Sequence, residues 1–267
     1  MADSVLYEVT DGLATVTINR PDAMNAMNTE AKVALREAVR AAAQDTAVRA
    51  VLLTAAGSRA FCVGQDLKEH IGNLAADRES GSTLTMSTVA EHYNPIVRAL
   101  TEMPKPVVAA VNGVAAGAGF GFALAADFRV VADTASFNTS FAGVALTADS
   151  GVSWTLPRLI GASRASDLLL FPRSVKAQEA WELGIANRLV PADELRAEAE
   201  KTARALASGP TVAYAALKES LAYGASHSLS EALEREDVLQ TRAGASEDHS
   251  IAVQAFLAKQ PPQYLGR

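Results

Sequence analysis

Two stretches of this chain have the residue types and spacing to hold an anion. The first runs Ala60-Phe61-Cys62-Val63-Gly64-Gln65-Asp66-Leu67. The second runs Asn112-Gly113-Val114-Ala115-Ala116-Gly117-Ala118-Gly119-Phe120-Gly121. Each follows a predicted strand and precedes a predicted helix. A helix N-terminus leaves backbone N–H groups unpaired and carries a partial positive charge, so it suits a phosphate or a developing oxyanion. Glycine at such a place lets the backbone approach a ligand closely. Tight strand-to-helix packing is the simpler explanation of either stretch taken alone. The second stretch is not a dinucleotide fingerprint, because Phe122 stands where the third glycine of GxGxxG belongs.

The other chemically capable residues are fewer. Asp149 immediately precedes a predicted helix, where it would serve as N-cap. Cys62 adjoins the first junction, but no histidine lies near it in sequence, and a small buried residue is the better reading. Asp66 reads as the cap of a short helix. His70, His92, His227 and His249 are scattered without metal-ligand spacing, so no metal site is expected.

The elements that must carry these residues follow from local patterns. Val5–Val9 and Ala14–Ile18, separated by Asp11-Gly12, predict a hairpin with a type I′-like turn. Asn28 or Thr29 opens a helix to about Gln44. Ala50–Thr54 and Val107–Val111 are apolar strands, and residues 57–64 form a loop. Residues 77–87 are polar and read as a mobile surface segment. Residues 88–102 read as a helix ended by Pro104 and Pro106. Residues 117–126 form a glycine-opened helix, and 128–131 and 136–138 two more strands. From about Ser150 the pattern is helical almost to the end. Strands alternating with helices give a layered α/β core. We divide the chain into a core over residues 1–195 and a helical oligomerisation region over 196–267.

Composition narrows the function. The 267 residues are 49% hydrophobic and 20% charged, with net charge −6. Such a chain is not disordered, and its acidity argues against bulk nucleic-acid or anionic-membrane binding. One cysteine cannot form an internal disulfide, which suits a reducing cytoplasm. The N-terminus shows no signal-peptide pattern. Residues 106–126 lack charge over a length that could cross a bilayer, but glycines and Asn112 interrupt them. A strand, a turn and a buried helix explain them better than a span.

Read together, the motifs resemble the enoyl-CoA hydratase/isomerase (crotonase) superfamily over almost the whole chain. They are Ile18-Asn19-Arg20-Pro21, Ala23-Met24-Asn25-Ala26, both junctions, Pro104-Lys105-Pro106-Val107, Ala126-Asp127-Phe128-Arg129, Asp149-Ser150-Gly151, Leu156-Pro157-Arg158 and Ala255-Phe256-Leu257-Ala258-Lys259. The resemblance implies a spiral of ββα units, a homotrimer or dimer of trimers, and an acyl thioester of coenzyme A as substrate, with no prosthetic group. It implies that the amides of Gln65 and Ala118 hold the thioester oxygen as it becomes an enolate. Coenzyme A would lie along Ala23, Met24, Asn25, Ala26, Val63, Gly64, Asp66 and Leu67. Phe256 and Lys259 would clamp its nucleotide end across a subunit interface.

The resemblance also bears on the reaction. The two glutamates of the hydratases align with Gly121 and Phe141, so both carboxylates are missing. Asp149 occupies the position that supplies the acid/base in several isomerases. It supplies the nucleophile in the aryl-CoA dehalogenases, whose histidine and tryptophan align here with Asn94 and Phe141. The segment His92-Tyr93-Asn94-Pro95 together with Asp149-Ser150-Gly151 looks most like the phenylacetate-pathway isomerases. Asn94, Gly117, Gly121 and Phe141 are the expected acyl-pocket residues. The sequence thus points to an enoyl-CoA isomerase, with a hydratase or a non-catalytic acyl-CoA-binding subunit as alternatives.

Overall fold

The structure, a computed structural model, describes residues 3–267. Strands β1 (Val5–Thr10) and β2 (Leu13–Ile18) form the antiparallel hairpin. Asp11 and Gly12 both have positive φ, 51° and 77°, as a two-residue type I′ turn requires. Helix α1 (Thr29–Gln44) begins at Asn28, whose side chain accepts from the Ala31 amide.

Three ββα units follow. They are β3 (Ala50–Ala55), β4 (Ala60–Cys62) and α2 (Leu67–Ser80); then, after α3 (Asn94–Glu102), β5 (Val107–Val111), β6 (Val114–Ala116) and α4 (Ala118–Ala125); then β7 (Phe128–Ala132), β8 (Ser136–Asn138) and α5 (Val152–Ile160). The first strand of each unit joins one sheet and the second joins another. The six-stranded sheet has the order β1-β2-β3-β5-β7-β10, and the four-stranded sheet the order β4-β6-β8-β9. Units stack in parallel, β3 on β5 on β7 and β4 on β6 on β8. That is the spiral the resemblance implied. The third unit continues through α6 (Ala162–Leu170), β9 (Val175–Lys176), α7 (Ala177–Glu182) and β10 (Arg188–Val190), and the chain ends with α8 (Leu195–Ala207), α9 (Thr211–Gly224), α10 (Leu229–Gly244) and α11 (Glu247–Ala258).

The stretch 106–126 resolves into the strand and buried helix read from the sequence, β5 and α4, with the short strand β6 between them, and among the described residues no helix is long and apolar enough to cross a membrane. Other expectations change. The expected loop 57–64 contains β4. Residues 77–87 are ordered locally: α2 runs to Ser80, a 3₁₀ turn covers Leu84–Ser87, and Asp77 ties them by accepting from the Ser82 hydroxyl and the Thr85 amide. The division at 195 falls at the start of α8, yet α8 packs on β3, β5 and β7 with Leu195, Ala199, Ala203 and Ala207 buried. Small residues four apart let this helix lie close on the sheet, so α8 belongs to the core, and the helices that stand outward begin with α9.

The charged residues of two motifs turn out to be structural. Buried Lys105 donates to the Ala42 carbonyl at 2.7 Å and to the Asp45 carbonyl, closing the C-terminus of α1. Asp127 accepts from the Val107 amide and from Lys218, both at 2.8 Å. Buried Arg129 donates to the carbonyls of Ile185 and Ala126, each at 2.6 Å. A buried charge is tolerated only when its hydrogen bonds are satisfied, and these are.

Backbone contact brings the units together. A Cβ on Gly119 would lie 2.1 Å from the Cys62 carbonyl oxygen, and one on Gly113 would lie 2.4 Å from that of Arg59. Gly119→Ala is therefore expected to cost roughly 1–3 kcal/mol or more, because backbone cannot yield as a side chain does. Gly72 lies within α2 with open space at its Cβ, so Gly72→Ala should gain up to about 1 kcal/mol from helix propensity. Urea denaturation of both variants checks the pair.

Candidate active site

Strands β4 and β6 are parallel neighbours, so the chain leaves both in the same direction and α2 and α4 start side by side. Gly64, with φ +83°, seals the seam: a Cβ there would lie 3.1 Å from the Ala116 carbonyl and 3.3 Å from the Ala118 amide nitrogen. The structure thus brings together the two junctions singled out in the sequence.

The two amides are oriented by their neighbours. Met27 pairs with Gln65 as an isolated parallel bridge. The Met27 amide donates to the Gly64 carbonyl at 2.7 Å, and the Asp66 amide donates to the Met27 carbonyl at 3.1 Å. In a trans peptide C=O and N–H point oppositely, so the Gln65 N–H points away from Met27. Gly117, at φ 53° and ψ −124°, adopts a backbone that favours glycine and precedes α4 without any side-chain cap. Ala118 holds the first position of α4, where an amide has no partner within the helix. Among the described residues no acceptor receives either amide. A Cβ on Gly117 would meet nothing within 4 Å, so the space in front of the second junction is open.

The loop expected to hold coenzyme A is fixed from within. Met24 and Asn25 both have φ 55°. Buried Asn25 spends its side chain on the loop, donating to the carbonyls of Ala56 at 2.9 Å and Ala60 at 2.8 Å and accepting from the Arg20 amide. Arg20 donates to the Ala26 carbonyl and pairs with Asp66 at 3.0 Å. Asp66 caps α2 through the amides of Lys68 and Glu69. Burial pushes its carboxyl up, but the Arg20 guanidinium and the two amides outweigh this and hold it below the usual range. Its capping role agrees with the sequence reading. Val63 is half-buried, Ala23 likewise, and Leu67 is exposed. Among the described residues no donor reaches the carbonyl oxygens of Met24 and Asn25.

Asp149 corrects an expectation. It is not the N-cap of α5: Gly151 holds that position, and the Asp149 carboxylate accepts from the Ser150 hydroxyl at 2.9 Å. Ser150 and Gly151 are both left-handed, φ 50° and 76°, so the chain turns between Asp149 and the helix. Burial pushes the Asp149 carboxyl above the usual range, against the Ser150 hydrogen bond.

Gly121 also departs from expectation. It faces no open space, since a Cβ there would lie 2.4 Å from the Ser150 Cβ and 2.5 Å from its carbonyl oxygen. Ser150 occupies the room that a side chain at Gly121 would need. Phe141 is 6% exposed and belongs to the core cluster. Asn94 is exposed, whereas its neighbour Tyr93 turns inward and donates to Gln65 Oε1 at 2.7 Å. In the sequence Tyr93 stands only within the motif His92-Tyr93-Asn94-Pro95; a polar aromatic before the apolar face of α3 is the one signal that marks it. His92 bonds with Thr88 at 3.2 Å through Nδ1. Burial, against the lowering effect of the Gly64 amide hydrogen bond, pushes the Cys62 thiol up to about 12, which leaves it unreactive. Phe256, 82% exposed, and Lys259 stand at the end of α11. Among the described residues no His, Cys, Asp and Glu side chains gather in a metal-binding group. A cavity of about 540 Å³ between Met103, Pro104, Thr211, Lys218 and Arg242 contains none of these candidate residues.

Known proteins resemble this chain over nearly its whole length. The profile of the family described as Enoyl-CoA hydratase/isomerase matches residues 8–267. A protein of Rhodobacter capsulatus described as "Probable enoyl-CoA hydratase" is 40% identical over 265 residues, covering 99% of this chain and 98% of that protein. The 1,2-epoxyphenylacetyl-CoA isomerase of Escherichia coli is 38% identical over 267 residues, covering 100% of both. The crystal structure of an enoyl-CoA hydratase from Bacillus anthracis superposes with a TM-score of 0.90 at 30% identity, covering 99% of this chain and 100% of that one.

The position of Asp149 makes stability depend on pH. An acid whose pKa is raised by folding binds its proton more tightly in the folded state. Folding gains from this below the ordinary carboxylate range and loses the gain as pH rises through the raised value. Asp149→Asn is therefore expected to be more stable than the parent near neutral pH and to lose that advantage near pH ~4. Chemical denaturation at the two pH values measures the difference.

Proposed function

The chain belongs to the enoyl-CoA hydratase/isomerase family, and we propose that its reaction within that family is a double-bond isomerisation of an acyl-CoA thioester. The observation that carries this reading is a single half-buried carboxylate, Asp149, beside a glycine whose side-chain space is already filled by Ser150. Adding water across a double bond between paired carboxylates needs two of them. Moving a proton from one carbon to another needs only one, because the group that takes the proton can return it. The Asp149 carboxylate removes a proton from the carbon activated by the thioester, and the electron pair shifts onto the thioester oxygen. The Gln65 and Ala118 amides hold that oxyanion, each worth about 3–4 kcal/mol of barrier. Asp149 then delivers the same proton at the other end of the allylic unit, with no change of mass. Burial raises the Asp149 pKa toward the working pH, which makes proton removal and return more evenly matched.

Coenzyme A enters as part of the substrate, and no prosthetic group is required. Its path runs along Ala23 to Ala26 and Val63 to Leu67, supported by the carbonyls of Met24 and Asn25 that stay available to donors. The acyl group we favour is ring-derived or unsaturated, supported by the isomerase relative that acts on 1,2-epoxyphenylacetyl-CoA. A cytoplasmic setting, supported by a single buried free thiol, belongs to the same reading.

Incubation with a panel of acyl-CoA thioesters in D₂O, followed by mass spectrometry, tests the reaction. Isomerisation leaves the mass of the neutral product unchanged apart from deuterium exchange, hydration adds one water, and a mere binder does neither. Asp149→Asn should lower turnover by roughly two to four orders of magnitude with binding retained, and the parent rate should fall as pH drops through the raised pKa of Asp149. Wild-type turnover in the Asn variant would refute the role of Asp149.

Assembly is part of the proposal. Leu217, Leu221, Leu229, Leu233, Phe256 and Leu257 are exposed on α9 to α11, more apolar surface than an isolated chain favours. We expect a homotrimer or dimer of trimers by sedimentation at micromolar protein, with Lys259 and Phe256 reaching a neighbour's nucleotide site. A monomer would remove both claims.

A further inference from the structure

Tyr93 has no part in the proton transfer described above, yet it touches the first junction and the helix that follows the second. It closes a π-helical turn, Val89–Tyr93, that leads into α3. A widened turn re-aims the side chains that follow it and is frequent at functional sites; here it turns Tyr93 inward, 2% exposed, while Asn94 faces out. The hydroxyl donates to Gln65 Oε1 at 2.7 Å. The ring meets Phe122 of α4 edge-on with centroids 5.8 Å apart, and Phe122 lies one turn after Ala118. The Lys32 ammonium stands 5.6 Å from the ring centroid and donates to the Thr88 hydroxyl at 2.9 Å, which supports the ring from the α1 side.

We propose that Tyr93 is a positioning residue of the oxyanion site: its hydroxyl holds Gln65 while its ring rests on Phe122, and so it fixes the spacing between the Gln65 and Ala118 amides. The pairing with Met27 sets the direction of the Gln65 N–H, and the Gly64 and Gly119 contacts set how near the two backbones come, but neither contact holds Gln65 itself against α4. Gly64, just before Gln65, is conformationally permissive, and the Gln65 side chain has no other partner among the described residues. Tyr93 supplies that second constraint. Two donors stabilise one oxygen only if both lie within hydrogen-bond reach of it, and a misplacement of about 1 Å can cost on the order of a hundredfold in rate. Burial, and the negative charge of Asp149 among others, push the Tyr93 phenol well above its ordinary range. It therefore stays protonated and remains a donor to Gln65.

This inference rests on the isomerase reading, and the test separates the two. Infrared difference spectra of bound [1-¹³C]phenylacetyl-CoA and [1-¹³C]butyryl-CoA report polarisation of the thioester carbonyl, and exchange of the α-proton in D₂O reports turnover. Tyr93→Phe keeps the ring and its packing, which thermal melting verifies. It should return part of the carbonyl shift toward the free value and lower kcat for exchange roughly ten- to a hundredfold, with KM within about twofold. Its pH profile should keep the Asp149 limb. Gln65→Leu should produce a similar loss, and the double variant no further one. A Tyr93→Phe protein with the parent's carbonyl shift and rate, or losses that add independently in the double variant, overturns the inference alone. A parent protein that neither polarises nor exchanges either thioester overturns the isomerase reading and this inference with it.

Discussion

The contact on which the rest depends is backbone on backbone: Gly119 at the start of α4 lies directly over the carbonyl of Cys62 at the end of β4. No side chain fits between them, and Gly64 closes the same seam from the other strand. Parallel pairing of β4 with β6 puts both chain exits at one edge of the small sheet. The glycines then remove the separation that ordinary side chains would impose. Two helix-leading amides end up adjacent, with open space in front of Gly117. Neither parallel strands nor glycines alone would achieve this, because strands set direction and small residues set distance.

The charged residues of the sequence motifs are almost all spoken for. Arg20 and Asp66 pair with each other and with loop and helix backbone. Lys105, Asp127, Lys218 and Arg129 are consumed in holding strand and helix ends. Asp149 is the exception, with one bond to the neighbouring hydroxyl and enough burial to resist ionisation. Donors aimed at a developing oxyanion act most strongly where water and competing charge are scarce. A neutral phenol at Tyr93 and a buried neutral thiol at Cys62 keep the surroundings of that kind.

The turn at Ser150 and Gly151 couples the carboxylate to the same glycine-bearing helix. A non-glycine residue in the left-handed region costs free energy and persists where its surroundings over-determine it. Here the determinant is Gly121, against which Ser150 packs. Glycine inside a helix is itself unfavourable relative to alanine by roughly 0.5–1 kcal/mol. Two local costs, one at Ser150 and one at Gly121, therefore sustain each other and place Asp149 outside the cap position. The same packing leaves no room for a longer residue at Gly121.

Much of this was legible in the chain itself. The Asp11-Gly12 turn, the start of α1 at Asn28, the buried strand over Val107–Val111 and both glycine-bearing junctions follow from local preferences, because turn type, capping and apolar period are properties of a few consecutive residues. The motifs around Lys105 and Asp127 marked the family before their structural work was visible. Of the strands of two or three residues, β8 was read from the sequence, but β4, β6, β9 and β10 were not legible, since little period develops over so short a run. The placement of α8 on the sheet was hidden because its alanines read as propensity rather than as a packing face. Tyr93 and Asp149 depended most on the tertiary structure. A phenol reaching Gln65 across 28 positions, and a carboxylate freed from capping by the packing of Ser150 on Gly121, are set by distances between residues remote in sequence, and those distances exist only once the two sheets have stacked.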